Sequence, residues 1–252
     1  MSDRVLAALD GGVLTATLNR PEKKNAIDTP MIDALLALLE RADLDSAVRV
    51  VAVRGAGGDF CAGMDLNELL ASADKSVEQN RQAALHFAEI FVRMRRIPKP
   101  IVAVVHGRAL AGGCGLATAC DLVLATESAK LGYPEVQRGF VPAIVMTLLK
   151  RTTGEKVAFD LAATGRILGA PEAAGLGLVS RVYEDSDFED QVAEVLRALA
   201  AASPSALAFT KQQFYELDGL RFEDGIRLGA DVNAVSRTTP DFRAALQAFL
   251  KK

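Results

Sequence analysis

The residues best suited to chemistry in this sequence lie in two glycine-rich segments, residues 55–66 and 106–116. Each segment follows an apolar run typical of a buried strand and leads into a predicted helix. The first N–H groups of a helix have no partner within it and lie at the positive end of its dipole. Two such loops side by side could direct two N–H groups at one carbonyl oxygen and form an oxyanion hole. The alternative, that both segments are simply turns required by the fold, stays open from the residues alone.

The sequence lacks the motifs of several common enzyme classes. It has no G-x-S-x-G nucleophile elbow and no G-x-x-x-x-G-K-[ST] loop, which argues against an α/β-hydrolase and a P-loop nucleotidase. The dinucleotide fingerprint G-x-G-x-x-G is also missing, because Thr118 stands where its third glycine belongs. His86 and His106 have no partner at metal-ligand spacing, so we expect no metal site.

Composition limits the partners and the compartment. The 252 residues carry 29 Lys and Arg against 32 Asp and Glu, which argues against a nucleic-acid groove and means that local cations must hold any anionic ligand. The three cysteines form no C-x-x-C motif and predict a reducing compartment. The longest uncharged apolar run, residues 141–149, is too short to span a bilayer. We therefore expect a soluble, cytoplasmic protein that binds neither nucleic acid nor membrane.

The elements that must position the two glycine-rich segments alternate between strand and helix. Thr29 and Pro30 predict a helix start, with Thr29 as N-cap and Pro30 at the first helical position. Repeated strand–loop–helix units predict an α/β fold. The predicted elements are a hairpin over 5–9 and 13–18, strands over 48–53, 101–105 and 122–125, helices over 65–71 and 77–95, and a loop over 107–115 before a short helix at 116–120.

The C-terminal part of the chain has a different character. Residues 188–202, 205–217 and 242–250 all show helical spacing, with no further predicted strand between them. We therefore predict a core over residues 1–190 and a helical C-terminal region over residues 191–252.

Several segments together make the chain similar to the enoyl-CoA hydratase/isomerase (crotonase) superfamily over nearly its whole length. The order and spacing of these segments, rather than any one of them, carry the resemblance. They are residues 19–26, 60–66, 99–100, 107–121, 130–142 and 173–179. The resemblance implies a crotonase-like spiral of ββα units that binds an acyl-CoA thioester, with a helical C-terminal region that assembles homotrimers or hexamers. It also implies a role in fatty acid metabolism and no cofactor, since coenzyme A is part of the substrate.

The resemblance assigns roles to individual residues. The N–H groups of Met64 and Gly112 would form the oxyanion hole, and Lys252 would approach the coenzyme A of a neighbouring subunit. Arg20, Lys23 and Lys24 would supply the local cations for the coenzyme A phosphates. The full set of expected substrate-binding residues is Arg20, Lys23, Lys24, Ala26, Ala62, Gly63, Asp65, Leu66, Gly113, Gly115, Pro134 and Val141.

The acid–base residues depart from the pattern of the best-known hydratases, which carry two glutamates. Only the second is present, as Glu135 after Pro134. Gly115 stands at the first position, cannot transfer a proton, and leaves a gap where the other carboxylate would lie. Partial burial beside an acyl chain would raise the pKa of Glu135 and suit it to proton transfer near neutral pH.

Three functions stay open for one carboxylate. In a hydratase, Glu135 would activate a water molecule for attack at the β-carbon and then protonate the α-carbon. In an isomerase, Glu135 would move a proton between two carbons of the acyl chain without water. The third alternative is a catalytically silent acyl-CoA-binding protein. A finer resemblance of residues 111–116 and 135–143 to bacterial single-glutamate hydratases of the methylglutaconyl-CoA type favours the hydratase.

Overall fold

The computed structural model describes residues 3–251, and these residues form a mixed α/β structure. The strands are β1 (Val5–Asp10), β2 (Val13–Leu18), β3 (Val50–Gly55), β4 (Ile101–Val105), β5 (Arg108–Leu110), β6 (Leu122–Thr126), β7 (Lys130–Gly132), β8 (Ile167–Gly169) and β9 (Arg181–Tyr183). The helices are α1 (Thr29–Leu44), α2 (Leu66–Ser72), α3 (Val77–Arg96), α4 (Gly112–Ala119), α5 (Ala143–Thr153), α6 (Glu155–Thr164), α7 (Ala170–Gly175), α8 (Phe188–Ala201), α9 (Pro204–Glu216), α10 (Phe222–Ser236) and α11 (Pro240–Leu250). Two short 3-10 helices cover Pro21–Lys23 and Pro134–Arg138.

The strands form two sheets that the chain visits in turn. The larger sheet has the order β1-β2-β3-β4-β6-β9, and it is parallel apart from the β1–β2 hairpin. The smaller sheet has the order β5-β7-β8. The chain passes from β4 through β5 to α4, and then from β6 through β7 to α5, so each of these two turns adds one strand to each sheet and one helix. This confirms the predicted α/β fold of ββα units.

Alternating side chains of the larger sheet serve two separate cores. Val51 and Val53 point into the main core with the smaller sheet and most helices. Val50 and Ala52 point to the opposite face, where α8 covers them. The predicted boundary between residues 190 and 191 therefore falls inside α8, a helix that packs on the sheet. The assignment of the following region to oligomerisation stays a prediction.

Two local predictions about helix starts were wrong. The N-cap of α1 is Asp28 rather than Thr29, because the Asp28 carboxylate accepts the N–H of Met31 at 3.0 Å. The predicted loop over 107–115 contains β5 and the first turn of α4. Glycines disfavour a helix, but a side chain at Gly113 would lie 2.4 Å from the Cys61 carbonyl oxygen, so close packing selects glycine there.

Further elements in the C-terminal half were not predicted from the sequence. They are β7, β8, β9, α5, α6, α7 and α10. The three strands are only three residues each, and the sequence pattern of so short a run does not identify a strand.

A buried ionic cluster holds α9 against the core. The Lys211 ammonium lies 2.8 Å from Asp121 Oδ2 and donates a hydrogen bond of 2.9 Å to the Lys99 carbonyl oxygen. The Tyr215 hydroxyl donates to the other Asp121 oxygen at 2.7 Å. By contrast, α10 and α11 bury none of their described residues within the chain.

Within residues 3–251, no single helix is both long and apolar enough to cross a membrane. Helices α8 and α9 pass that test of length and composition only as a pair, and the two are bent by 101° relative to each other.

Candidate active site

Main-chain pairing places the two predicted N–H donors side by side. Cys61 forms a parallel bridge with Ala109, through main-chain hydrogen bonds of 2.9 Å on either side. Met64 follows Cys61 by three residues, and Gly112 follows Ala109 by three. The parallel register therefore brings Met64 and Gly112 to equivalent positions on adjacent loops. A side chain on Gly112 would begin 3.7 Å from Met64 Cγ, which confirms that the two loops touch there.

Both of these N–H groups are free of main-chain partners. Gly63 and Asp65 hydrogen-bond to Ile27 at 2.8 Å, so the intervening Met64 N–H points away from Ile27. Gly112 is the first residue of α4, where an N–H has no acceptor within the helix. Among residues 3–251, neither N–H has a hydrogen-bond acceptor. The two groups are therefore available to a ligand oxygen.

The residue before each donor has a positive φ angle. Gly63 has φ 98°, and a side chain on it would lie 2.9 Å from Ala111 Cβ. Ala111 has φ 51° and ψ −127°, a conformation that costs a residue with a side chain on the order of 1–3 kcal/mol. The strain lies at the turn that orients the Gly112 N–H, which is where functional sites commonly store it.

The candidate acid–base residue, Glu135, lies on the segment that follows the adjacent strand, β7. Leu110 of β5 pairs in parallel with Gly132 of β7, so the segment carrying Glu135 emerges beside the Gly112 turn. Pro134 opens the 3-10 helix that holds Glu135. Glu135 is buried, and its Oε2 has no hydrogen-bond partner among the described residues. Burial raises the pKa of this carboxyl, against weaker opposing effects of a main-chain N–H and the Arg138 charge. A carboxyl with a raised pKa can both accept and return a proton near neutral pH.

The gap expected at Gly115 is filled. A side chain at Gly115 would begin 2.1 Å from Val145 Cγ1. Val145 lies on α5 and is itself buried. At the position expected for the first glutamate of two-glutamate hydratases, aliphatic packing therefore takes the place of a carboxylate and leaves no gap.

Arg20 does not belong to a cluster of free cations, contrary to the prediction. Its guanidinium is buried and lies 2.9 Å from Asp65 and 3.3 Å from Asp28. It also donates a hydrogen bond of 2.7 Å to the Ala26 carbonyl oxygen. Asp28 and Asp65 are the N-caps of α1 and α2, so Arg20 joins two helix starts instead of facing solvent. Lys23 and Lys24 remain exposed, as does Leu66.

Asn25 is a positioning residue that sequence reasoning missed. It is fully buried, and its side-chain amide donates to the carbonyl oxygens of Ala56 at 2.8 Å and Asp59 at 2.7 Å. Its side-chain oxygen accepts the Arg20 N–H at 2.9 Å. Asn25 and Lys24 are consecutive non-glycine residues with positive φ. An asparagine beside a tight turn was the one available signal, because asparagine tolerates that conformation best.

Val141 lies on the wall of a different cavity. This cavity has a volume of about 520 Å³ and lies between the second 3-10 helix, α5 and α6. Its apolar wall includes Val136, Phe140, Met146 and Phe159, whereas Met64, Gly112 and Glu135 do not line it. The parallel register places the segments that carry Met64, Gly112 and Glu135 next to one another. Val141 lines the cavity described here, and its contact with the substrate stays a prediction. Ala62, Gly63, Gly113 and Pro134 do lie on the loops that carry these candidates.

The two histidines lie outside this arrangement. His86 contacts Asp33 at 2.7 Å, and His106 contacts the Gly57 carbonyl oxygen at 2.9 Å. Among residues 3–251, no three histidine, cysteine, aspartate or glutamate side chains group as a metal ion would require. Lys252, expected at a neighbouring subunit's coenzyme A, lies outside the described residues.

Comparison with known proteins identifies the class. The sequence model of the family described as enoyl-CoA hydratase/isomerase matches residues 9–252. A Thermus thermophilus protein named "Putative enoyl-CoA hydratase" is 41% identical over 96% of both chains. The 2,3-dehydroadipyl-CoA hydratase of Escherichia coli is 32% identical over 95% of this chain and 92% of its own. The crystal structure of an enoyl-CoA hydratase from Mycobacterium smegmatis superposes with a TM-score of 0.94 at 31% identity, covering 99% of this chain and 97% of that one.

The fold is thus that of the crotonase-type enoyl-CoA hydratases. The chain belongs to the enoyl-CoA hydratase/isomerase family, and it is an enzyme of acyl-CoA thioesters.

The close packing of Gly115 against Val145 predicts that a larger residue at position 115 destabilises the protein. Replacing a helical glycine with alanine usually stabilises a helix by roughly 0.5–1 kcal/mol. Here we expect Gly115→Ala to lower the free energy of unfolding by about 1–3 kcal/mol, because the new methyl group overlaps Val145. Adding Val145→Ala should recover part of that loss, and urea unfolding of both single variants and the double variant measures the coupling.

Gly175→Ala on α7 is the matched control, since a methyl group there would meet nothing within 4 Å. Equal stability of Gly115→Ala and the unmodified protein, with no coupling to Val145, would contradict the packing described.

Proposed function

We propose that this protein is an enoyl-CoA hydratase that adds water across the double bond of a 2-enoyl-CoA thioester, with Glu135 as its sole acid–base residue. The observation that carries the proposal is the buried, unpartnered Glu135 Oε2 on a segment that follows β7, next to the strand that leads to Gly112 and its free N–H group. A carboxylate that can exchange protons and a site for a developing oxyanion are the two requirements of this addition.

The proposed reaction has two steps. Glu135 takes a proton from water as the water oxygen attacks the β-carbon, and the electrons of the double bond move onto the thioester oxygen. The N–H groups of Met64 and Gly112 stabilise the charge on that oxygen. Removing one such donor typically costs about 10²- to 10³-fold in rate. Glu135 then returns its proton to the α-carbon, the thioester carbonyl re-forms, and the product is a 3-hydroxyacyl-CoA.

The named relatives support hydration more than other chemistry. One is a 2,3-dehydroadipyl-CoA hydratase and another, from Clostridium acetobutylicum, is a short-chain-enoyl-CoA hydratase. The resemblance of residues 111–116 to single-glutamate hydratases of the methylglutaconyl-CoA type points the same way. A glutamate at position 135 together with a glycine at position 115 is compatible with that type.

Isomerisation is the second candidate, and one observation favours it. Val145 fills the space next to Gly115, where the first carboxylate of two-glutamate hydratases is expected, so an aliphatic side chain stands where a second polar group could hold water. A single base suffices to take a proton from one carbon and return it two carbons away. A relative from Escherichia coli, 30% identical over 254 residues, is a 1,2-epoxyphenylacetyl-CoA isomerase.

Coenzyme A binding is assigned to the loops around the candidate site. Lys23 and Lys24 are exposed next to the first glycine-rich loop and are the cations proposed to hold the phosphates. Ala26, Ala62 and Leu66 complete the proposed surface. The buried Asp65 supports this surface by capping α2 rather than by contacting the ligand.

The three free cysteines support a reducing compartment, so we place the protein in the cytoplasm. An acyl-CoA substrate also supports the proposed role in fatty acid metabolism.

Labelled water separates the proposed activities. We expect crotonyl-CoA, in water enriched with heavy oxygen, to yield a 3-hydroxyacyl product that carries the label. A 3-enoyl-CoA whose double bond moves without label uptake would instead support the isomerase. Mass spectrometry of the products, with protein-free incubations as the control, makes the distinction. Binding of CoA esters without turnover of either substrate would reject both enzymes and support the silent alternative.

We also propose that the C-terminal helices assemble a homotrimer or a dimer of trimers. Apolar side chains of α10 and α11 are exposed in the single chain, and contiguous exposed apolar patches commonly mark contact surfaces. They are Phe222, Ile226, Val235, Phe242, Leu246, Phe249 and Leu250.

Light scattering should give three or six times the chain mass for the unmodified protein. Phe222→Glu should lower that mass because it places a charge on the proposed interface. Leu44→Glu, on an equally exposed side chain of α1, is the matched control and should leave the mass unchanged. A single-chain mass for the unmodified protein at micromolar concentration would reject the assembly.

A further inference from the structure

The side chain directly before Pro134 and Glu135 is the largest fully buried one in the chain. Tyr133 is completely inaccessible, and its hydroxyl lies 2.8 Å from Thr118 Oγ1. The Thr118 hydroxyl donates its single hydrogen to the Cys114 carbonyl oxygen at 2.9 Å. With the Thr118 hydrogen directed at Cys114, the Tyr133 hydroxyl donates to Thr118 Oγ1. This gives a defined chain of hydrogen bonds from Tyr133 to the main chain of α4.

This chain of hydrogen bonds joins the two halves of the candidate site. Helix α4 begins with Gly112, which supplies one proposed oxyanion donor. Tyr133 precedes the 3-10 helix that holds Glu135. The two elements are therefore tied together through side chains as well as through the strands that precede them.

The main-chain hydrogen bonds that join the two segments end before Glu135. The last sheet contact is the hydrogen bond of 2.8 Å from the Ala111 N–H to the Gly132 carbonyl oxygen. Beyond Gly132 the chain leaves the sheet, and Tyr133 makes no side-chain cap on the 3-10 helix. Gln137 fixes the far end of that helix through a hydrogen bond of 3.0 Å to the Gly165 carbonyl oxygen. Glu135 thus lies between two anchors, and the one on the side of Gly112 is Tyr133.

The electrostatics are consistent with a hydroxyl that stays protonated close to Glu135. Burial raises the pKa of Tyr133 well above its usual range, and the Glu135 charge adds to the shift. Burial likewise raises the pKa of the neighbouring Cys114 thiol to about 11, with a contribution from Glu135. Neither group is therefore an acid or base near neutral pH, but the Tyr133 hydroxyl remains a permanent donor.

We propose that Tyr133 is a positioning residue, whose hydrogen bond to Thr118 fixes Glu135 relative to the Gly112 N–H during proton transfer. The inference rests on the proposed function, in which these two groups act on the same thioester. A displacement of about 1 Å in a reacting group can cost about 100-fold in rate. Losing the anchor should therefore affect the catalytic step more than substrate binding.

The test compares Tyr133→Phe and Thr118→Val with the unmodified protein. Each variant removes one hydroxyl and keeps the shape of the side chain. We expect each to lower kcat, and the exchange of α-protons of a saturated acyl-CoA with deuterated water, by about 10- to 100-fold, with KM changed less than threefold. Tyr215→Phe is the matched control: it removes a tyrosine hydroxyl bound to Asp121 far along the chain and should leave kcat and exchange unchanged.

A second readout does not depend on turnover. Titration of the Glu135 carboxyl by carbon NMR should show a changed pKa in Tyr133→Phe and an unchanged one in Tyr215→Phe. A folded Tyr133→Phe protein with kcat within twofold of the unmodified one overturns the inference, as does a normal Thr118→Val protein. An unmodified protein that neither turns over nor exchanges protons rejects the proposed function. In that case, an identical pKa of Glu135 in the Tyr133→Phe protein and the unmodified protein also overturns the role of Tyr133.

Discussion

The parallel main-chain register of three consecutive segments is the constraint on which the candidate site depends. Cys61 pairs with Ala109, and β5 pairs with β7 through Leu110 and Gly132. Because all three segments run in the same direction, their continuations leave at one edge of the smaller layer. The Met64 N–H, the Gly112 N–H and Glu135 are the groups that emerge there. Their proximity therefore follows from the parallel backbone hydrogen bonds that join these three segments.

Buried polar residues hold the loop and the helix starts next to this edge of the smaller sheet. Arg20 links the N-caps of α1 and α2. Asn25 holds the first glycine-rich loop through two hydrogen bonds and accepts a third from the Arg20 N–H. Truncating one partner of such a buried ionic cluster typically costs about 3–5 kcal/mol, because the remaining charge stays buried without its counterpart. On the second loop, the hydrogen bond of 2.8 Å from the Ala111 N–H to the Gly132 carbonyl oxygen holds the residue with the strained backbone conformation. Buried hydrogen bonds and ion pairs thus hold both loops of the candidate site, including the strained turn at Ala111.

The fold class and the two glycine-rich loops were easier to predict from the sequence than the side chains that support them. The loops and the α/β alternation leave local signals in residue type and order, whereas Glu135 was singled out by the family resemblance and its role stays a prediction. The role of Arg20 leaves none, because its partner Asp65 is 45 residues away and a lone arginine near lysines resembles a phosphate site. Likewise, nothing near Gly115 indicates that Val145 of α5 fills its missing side chain. The helical start at Gly112 was missed because tertiary packing overrode the low helix propensity of glycine.

The turnover of Glu135→Gln tests the central claim most directly, since glutamine keeps the size of the side chain and removes the transferable proton. Binding of a CoA ester, measured by calorimetry, verifies that the site remains intact. The account predicts that turnover of a 2-enoyl-CoA falls by about 10²- to 10⁴-fold while the ester still binds. Full turnover by the Glu135→Gln protein would contradict the assignment of Glu135 as the acid–base residue.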